Sequence, residues 1–229
     1  MKSGYSIYMP DPSGRLGSTV FSKNKYGSYQ KKFTAPSQPR TIYQQNIRSL
    51  FAALTRLWGT LTDGQRQVWK DRAAENPVFK KGVSYILSAM IFFIKLNRNL
   101  QAIGEAVVTD CPRINYPGSL STFSVDIVTT PGTEDIKLNC SPAIPTVTKV
   151  LVMATPVTKA SRALQMSKMR VIGVLDHTFV SGGSIKTQFL AKYGAMPATG
   201  DKVYFAIKPV SIACGAAALE QTTVSIGAV

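Results

Sequence analysis

The side chains that carry most enzyme chemistry are sparse in this chain and poorly spaced for it. Its one histidine, His177, directly follows Asp176. Neighbours on an extended strand point to opposite faces, so Asp176 cannot orient the imidazole as a triad acid does. The position reads as a turn histidine. Three cysteines, Cys111, Cys140 and Cys214, show no Cys-x-x-Cys pair and no metal-ligand spacing with His177. An odd number leaves at least one thiol free, which fits a reducing compartment better than a disulfide framework. Glu134 and Asp135 follow Pro131-Gly132-Thr133, a turn sequence in which two carboxylates are solvated. Ser181-Gly182-Gly183-Ser184 lacks the Lys-Ser/Thr ending and the following helix of a phosphate loop, and Gly194 to Gly200 reads as a second loop. These patterns predict no catalytic residue, no metal site and no cofactor, and the chain reads as non-enzymatic.

The chemistry that remains is charge. Lys and Arg total 27 against 12 Asp and Glu, a formal net charge of +15. Residues 1–110 carry 16 bases and 6 acids; residues 111–229 carry 11 and 6. The first 40 residues hold seven bases and a single acid, Asp11. Such a segment attracts polyanions, whether nucleic acid, an acidic membrane surface or an acidic subunit. Within it, 18–23 and 28–33 are short strand-like runs, and Asn24 to Gly27 between them suits a tight turn. The expectation is a basic hairpin in which Phe21, Tyr26, Tyr29 and Phe33 alternate with Lys23, Lys25, Lys31 and Lys32. Mixed bases and rings can track phosphates and stack on bases. An isolated hairpin is only marginally stable, however, so the preferred reading packs these rings on a neighbouring subunit or on the chain's own helices. Residues 1–40 are thus expected to form an extended arm, ended by a stiff connector at Pro36 and Pro39.

Beyond the connector the apolar period changes to threes and fours. Tyr43, Ile47, Leu50, Phe51, Leu54, Leu57, Trp58 and Leu61 share one helix face. Val68, Trp69 and Ala73 mark a second helix that Pro77 ends. Thr41 with Gln44, and Thr62 with Gln65, spell capping boxes at the two starts. A third helix is predicted from Tyr85 and Ile86 through Phe93 to Ile103, with Lys95, Arg98, Asn99 and Gln101 on the opposite, polar side and Gly104 as its C-cap. Phe51, Leu54, Trp58, Leu61, Trp69 and Phe93 are the expected shared core. Arg48, Arg56, Arg66, Lys70 and Arg72 could line a DNA-reading face, but an ordinary solvated face is the preferred reading, because a basic helix alone is a weak indicator and the second helix spends Val68 and Trp69 on packing. The longest charge-free apolar run, 82–94, is too short to span a bilayer. Residues 1–10 show no secretory leader.

Phe51, Leu54, Trp58, Leu61-Thr62, Gln65-Arg66 and Trp69, with a later helix bearing Asn97 and ending at Gly104, resemble a module of uncharacterised structural proteins of tailed phages and prophages. A Gly-rich arm and a Pro-x-x-Pro-like entry precede the helices in those proteins, and a β-sandwich often follows. The resemblance spans roughly residues 15–105. It implies a place in the virion, with synthesis in the host cytoplasm, and no activity.

From Thr122 onward the pattern has period two: Phe123, Val125, Ile127; Ile136, Leu138, Cys140; Val150, Val152, Ala154; Val203, Phe205, Ile207. Further strands are expected at 169–175, 184–190 and 221–226. Seven short strands of this kind suit a two-sheet sandwich, and their order resembles a fibronectin type III or immunoglobulin-like domain. Tyr204 lies opposite the apolar face of its strand, which speaks against a buried tyrosine corner.

The expected fold is therefore α+β: an extended arm with a β-hairpin (1–40), a three-helix module (41–110) and a seven-stranded fibronectin-like sandwich (111–229). The expected function is a phage structural protein that assembles with copies of itself or with other virion subunits. A protein that binds nucleic-acid phosphates through its arm is the alternative, and a host-surface adhesion module is a third. Neutralising Lys23, Lys25, Lys31 and Lys32 together is expected to weaken assembly or polyanion binding in a salt-dependent way, because exposed charges act through a Debye length of roughly 8 Å. Thermal unfolding of residues 41–229 should not change; a marked shift would place the arm within the core.

Overall fold

The computed structural model describes residues 13–24, 27–35, 40–80, 83–118, 120–159, 161, 163 and 166–227. Lys25, Tyr26 and the Pro36 to Pro39 connector lie outside the described residues. The fold is α+β, with four helices among the described residues and antiparallel sheets. It divides into two compact units, Met1–Asn46 and Ile47–Val229.

In the first unit, β1 (Gly14–Leu16), β2 (Thr19–Asn24) and β3 (Gly27–Lys32) form an antiparallel sheet in chain order. Phe21 pairs with Gln30, and Ser22 with Tyr29. Residues directly opposite share a face and successive residues alternate, so Phe21 and Tyr29 project from opposite faces. The ribbon is therefore two-sided, and its rings do not form one stripe.

In the second unit, α1 (Ile42–Thr60) enters from the boundary and α2 (Asp63–Glu75) follows. The capping box at Thr62 and Gln65 is complete: Gln65 N–H donates to Thr62 Oγ1 at 3.3 Å and Thr62 N–H to Gln65 Oε1 at 2.9 Å. The start of the predicted third helix is instead a hairpin, β4 (Val78–Lys80) paired with β5 (Val83–Tyr85). Val78, Phe79 and Lys80 face Tyr85, Ser84 and Val83, so Tyr85, the first apolar position assigned to the third helix, is the last residue of β5. The helix itself, α3 (Ala89–Ala102), begins where Ser88 caps it by accepting from Ile91 N–H.

Eight further strands, two of them only two residues long, follow among the described residues. β6 (Thr122–Val128), β7 (Asp135–Ser141) and β11 (Gly183–Ser184) make one sheet in the order β11-β7-β6. β8 (Thr148–Ala154), β10 (Arg170–Leu175), β12 (Asp201–Ser211) and β13 (Gln221–Ile226) make the other in the order β10-β8-β12-β13, with β9 (Thr158–Lys159) pairing on β12. Their inner residues, among them Val125, Leu138, Val152 and Phe205, belong to one buried core. The strand expected at 184–190 is mostly α4 (Lys186–Tyr193). Ile185 and Phe189, four apart and fully buried, fit a helix turn as well as a strand. Gly194 then stops that helix in the left-handed conformation, donating to Leu190 O. A helix thus does follow the glycines at 182–183, but Lys186 Nζ reaches Glu134 O at 2.7 Å and the Glu134 carboxylate at 3.7 Å, so its charge is already answered.

The segments 41–110 and 111–229 were expected to be separate domains; the helices and the two sheets that follow them fall in one compact unit, Ile47–Val229. Leu100 and Ile103 of α3 pack with Leu151 of β8 and Val210 of β12. Cys214 and Ala216, beyond β12, join Trp69 and Phe93 in the helical core. Gly215 makes this approach possible. Its φ is +68°, and a Cβ there would lie 2.2 Å from Leu96 O. Gly215→Ala is expected to lower unfolding stability by more than about 2 kcal/mol through the joint strain of backbone and clash. A denaturant midpoint unchanged within error would mean that α3 can ride off the sheet without penalty.

Candidate assembly surface

Trp69 and Phe93 are buried, with ring centroids 5.1 Å apart and nearly perpendicular, and Trp58 packs on Phe93 at 5.4 Å. Trp69 Nε1–H donates to Thr109 O at 2.8 Å, so the indole is satisfied on its polar edge while its body is dry. Leu54 and Leu61 are buried with them, and Trp58 is partly buried. Phe51 departs from the expected core: it is 51% exposed. Helix α1 meets the core through Leu54, Leu57 and Trp58, which leaves Phe51 at the margin of its stripe.

Helix α3 departs in the opposite sense. Asn97 is wholly buried, donating to Phe93 O and Val108 O at 3.1 Å and accepting from Val108 N–H at 2.7 Å. Asn99, expected on a polar face, is also buried and donates to Gly215 O at 2.8 Å. The two amides satisfy main-chain groups that would otherwise be buried without partners. Only Lys95 and Arg98 of the expected polar side stand in solvent as full charges.

The predicted arm residues sit on the ribbon. Phe21, Tyr29 and Phe33 are half-buried, and Lys23, Lys31 and Lys32 are exposed. The Arg15 guanidinium lies 3.7 Å from the Phe33 ring centroid, a cation–π contact that holds the ring against its own strand pair. None of the described residues of this unit is buried. Ile42 at its end is 77% exposed, and in the second unit Phe79 of the β4–β5 hairpin is 74% exposed.

The chemistry-bearing residues stay apart. Asp176 accepts from Thr178 N–H at 3.0 Å and from its hydroxyl, and these bonds hold its carboxyl below the ordinary range. The bonds close a turn, and His177 beside it is exposed. Burial pushes the Cys111 thiol up to about 12, which leaves little thiolate for nucleophilic or redox work at neutral pH. Among the described residues no three His, Cys, Asp or Glu side chains are grouped as metal ligands, and no helix is long and apolar enough to cross a membrane. No family model, curated protein or solved structure matches this chain.

What sequence reasoning missed is a groove between α1 and α3, floored by residues more than a hundred positions later: Lys208, Ala217 and Ala218. A matched pair of substitutions separates core from surface. Trp69→Ala should cost about 3–5 kcal/mol in denaturant unfolding, whereas Phe51→Ser should stay within about 1 kcal/mol. Equal losses would put Phe51 in the core.

Proposed function

We propose that this protein is a non-enzymatic structural subunit of a phage particle and that residues 1–46 are an assembly arm which orders on other subunits. The observation that carries this reading is the N-terminal ribbon: three strands, two faces bearing rings, and not one described residue buried. A small sheet without a covered face is marginal on its own. Burial on a neighbour would supply what it lacks, at roughly 25 cal/mol for each Å² of apolar surface covered.

The sandwich supports the same reading at the level of fold. We read β6, β7 and β11 as strands A, B and E of an immunoglobulin-like domain, and β8, β12 and β13 as C, F and G. The fourth strand, β10, pairs with the third strand, β8, where a constant-type immunoglobulin domain has it beside the fifth. That position favours the fibronectin-like variant, with the fifth strand cut to two residues and continued by α4. Such a fold carries no activity by itself.

Seven bases against one acid in the first 40 residues favour a second reading, in which the arm holds nucleic-acid phosphates. The two separate on one preparation. If the arm contacts protein, Phe21→Ala, Tyr29→Ala and Phe33→Ala combined should abolish large complexes in light scattering while duplex-DNA affinity changes by less than about twofold, since exposed charge pairs contribute at most about 1 kcal/mol each. A log–log salt slope of several units, near 0.9 per phosphate neutralised, with assembly indifferent to the ring deletions, would overturn the first reading in favour of the second.

A further inference from the structure

The groove between α1 and α3 has a cavity volume of about 600 Å³. One wall is Ile47, Leu50 and Phe51 of α1; the other is Ile91 and Ile94 of α3. The α1 wall presents apolar side chains at intervals of three and four and the α3 wall two that are three apart, and the small side chains of Ala217 and Ala218 also line the groove. This is the shape that receives the apolar face of a helix.

Charge selects the occupant. Lys95 and Arg98 continue the α3 wall, and Lys208 rises from the floor. Lys208 Nζ donates to Asn99 Oδ1 at 3.2 Å. Among the described residues none of the three cations has an ion pair; Glu220 is the one acid whose field reaches Lys208, against those of Arg98 and Lys95. Burial lowers the pKa of Lys208, so its charge is held in a poorly hydrated place. Lys208, partly buried beside the exposed Lys95 and Arg98, makes the rim of the trough positive, and an anion placed there is attracted by all three. Nucleic acid suits the cations but not the apolar walls, and a second copy of a chain with net charge +15 would add to the repulsion.

We propose that this groove binds an amphipathic helical segment of an acidic partner protein, its apolar side against Phe51 and Ile91 and its carboxylates on Lys95, Arg98 and Lys208. The inference deepens the assembly reading by stating the chemistry of a partner subunit, and it rests on that reading for its setting. Its test does not touch the arm. The probe is a fluorescein-labelled peptide of about 15 residues, long enough to hold a helix, with leucines at i, i+3, i+4 and i+7 and glutamates flanking them; a twin carries lysines in place of the glutamates. Fluorescence anisotropy with the full chain should give saturable binding of the acidic peptide near about 10 μM and of the basic twin at least about tenfold weaker. Lys95→Glu with Arg98→Glu should reverse the preference, and Phe51→Ser should weaken the acidic peptide about tenfold. Lys159→Glu with Lys192→Glu, the same change in net charge at two exposed and distant positions, should alter neither. Equal binding of the two peptides overturns the proposal, as does equal loss with the distant charge pair, or an acidic peptide that fails to bind while laurate or duplex DNA saturates the groove. Loss of self-assembly on ring deletion with peptide binding retained would leave both readings standing, whereas the same loss in a protein whose intact chain binds no acidic peptide would sink this inference alone.

Discussion

The close approach of α3 to the chain beyond β12 is the contact on which the second unit depends. A helix buried on nearly every side must meet main chain as well as side chains, and main chain brings polar groups that need partners. Gly215 removes the side chain that would strike Leu96 O, and Asn99 takes the carbonyl that the approach exposes. Asn97, two residues earlier, does the same for Val108 on the other side. The helix is thereby fixed both to the segment that follows it and to the sheet floor more than a hundred residues later. Trp69 and Phe93 can then be dry on one side of α3 while Leu100 and Leu151 are dry on the other.

This joint also explains which parts of the fold were legible in the sequence. Strands with a buried apolar face announce themselves by alternation, and β6, β7, β8 and β12 coincide with period-two runs, whereas β13 carries its apolar Val224 and Ile226 on the exposed side. The capping box at Thr62 is local chemistry and could be read directly. Helix α3 could not be read fully, because a polar residue on a helix is assigned to solvent unless a partner is known, and the partners of Asn99 are Gly215 and Lys208. The end of the hairpin at Tyr85 and helix α4 were misassigned for a common reason: Tyr85 lies four before Ala89 and Ile185 four before Phe189, a spacing that satisfies both periods. Gly194, as a helix stop, was the signal that could have settled the second case.

Phe51 carries the corresponding lesson for the assembly surface. Its spacing places it on the same stripe as Leu54 and Trp58, yet a stripe wider than the contact that covers it must leave a margin exposed. That margin, together with Ile91 and Ile94, walls the groove. No local pattern pointed to its floor, since Lys208 lies in the long strand β12 and Ala217 in the turn beyond it. Nor did composition show that Lys95 and Arg98 would gather around a third cation.

Charge then constrains what any assembly of this protein can contain. The N-terminal segment and the groove are each positive, and nothing in the remaining 111–229 segment compensates, because it too carries an excess of bases. Copies that met only one another would concentrate like charge within a Debye length of roughly 8 Å, where it is least screened. Apolar burial of the ribbon's rings could offset some of that repulsion, but only if the lysines between them turned toward an anion. If the arm self-associates as proposed, its rings would supply the attraction and an anion would remove the repulsion that opposes it. On the assembly reading proposed above, an acidic component would relieve that repulsion, and the groove beside Lys208 is the place in the second unit where exposed apolar side chains and cations stand together.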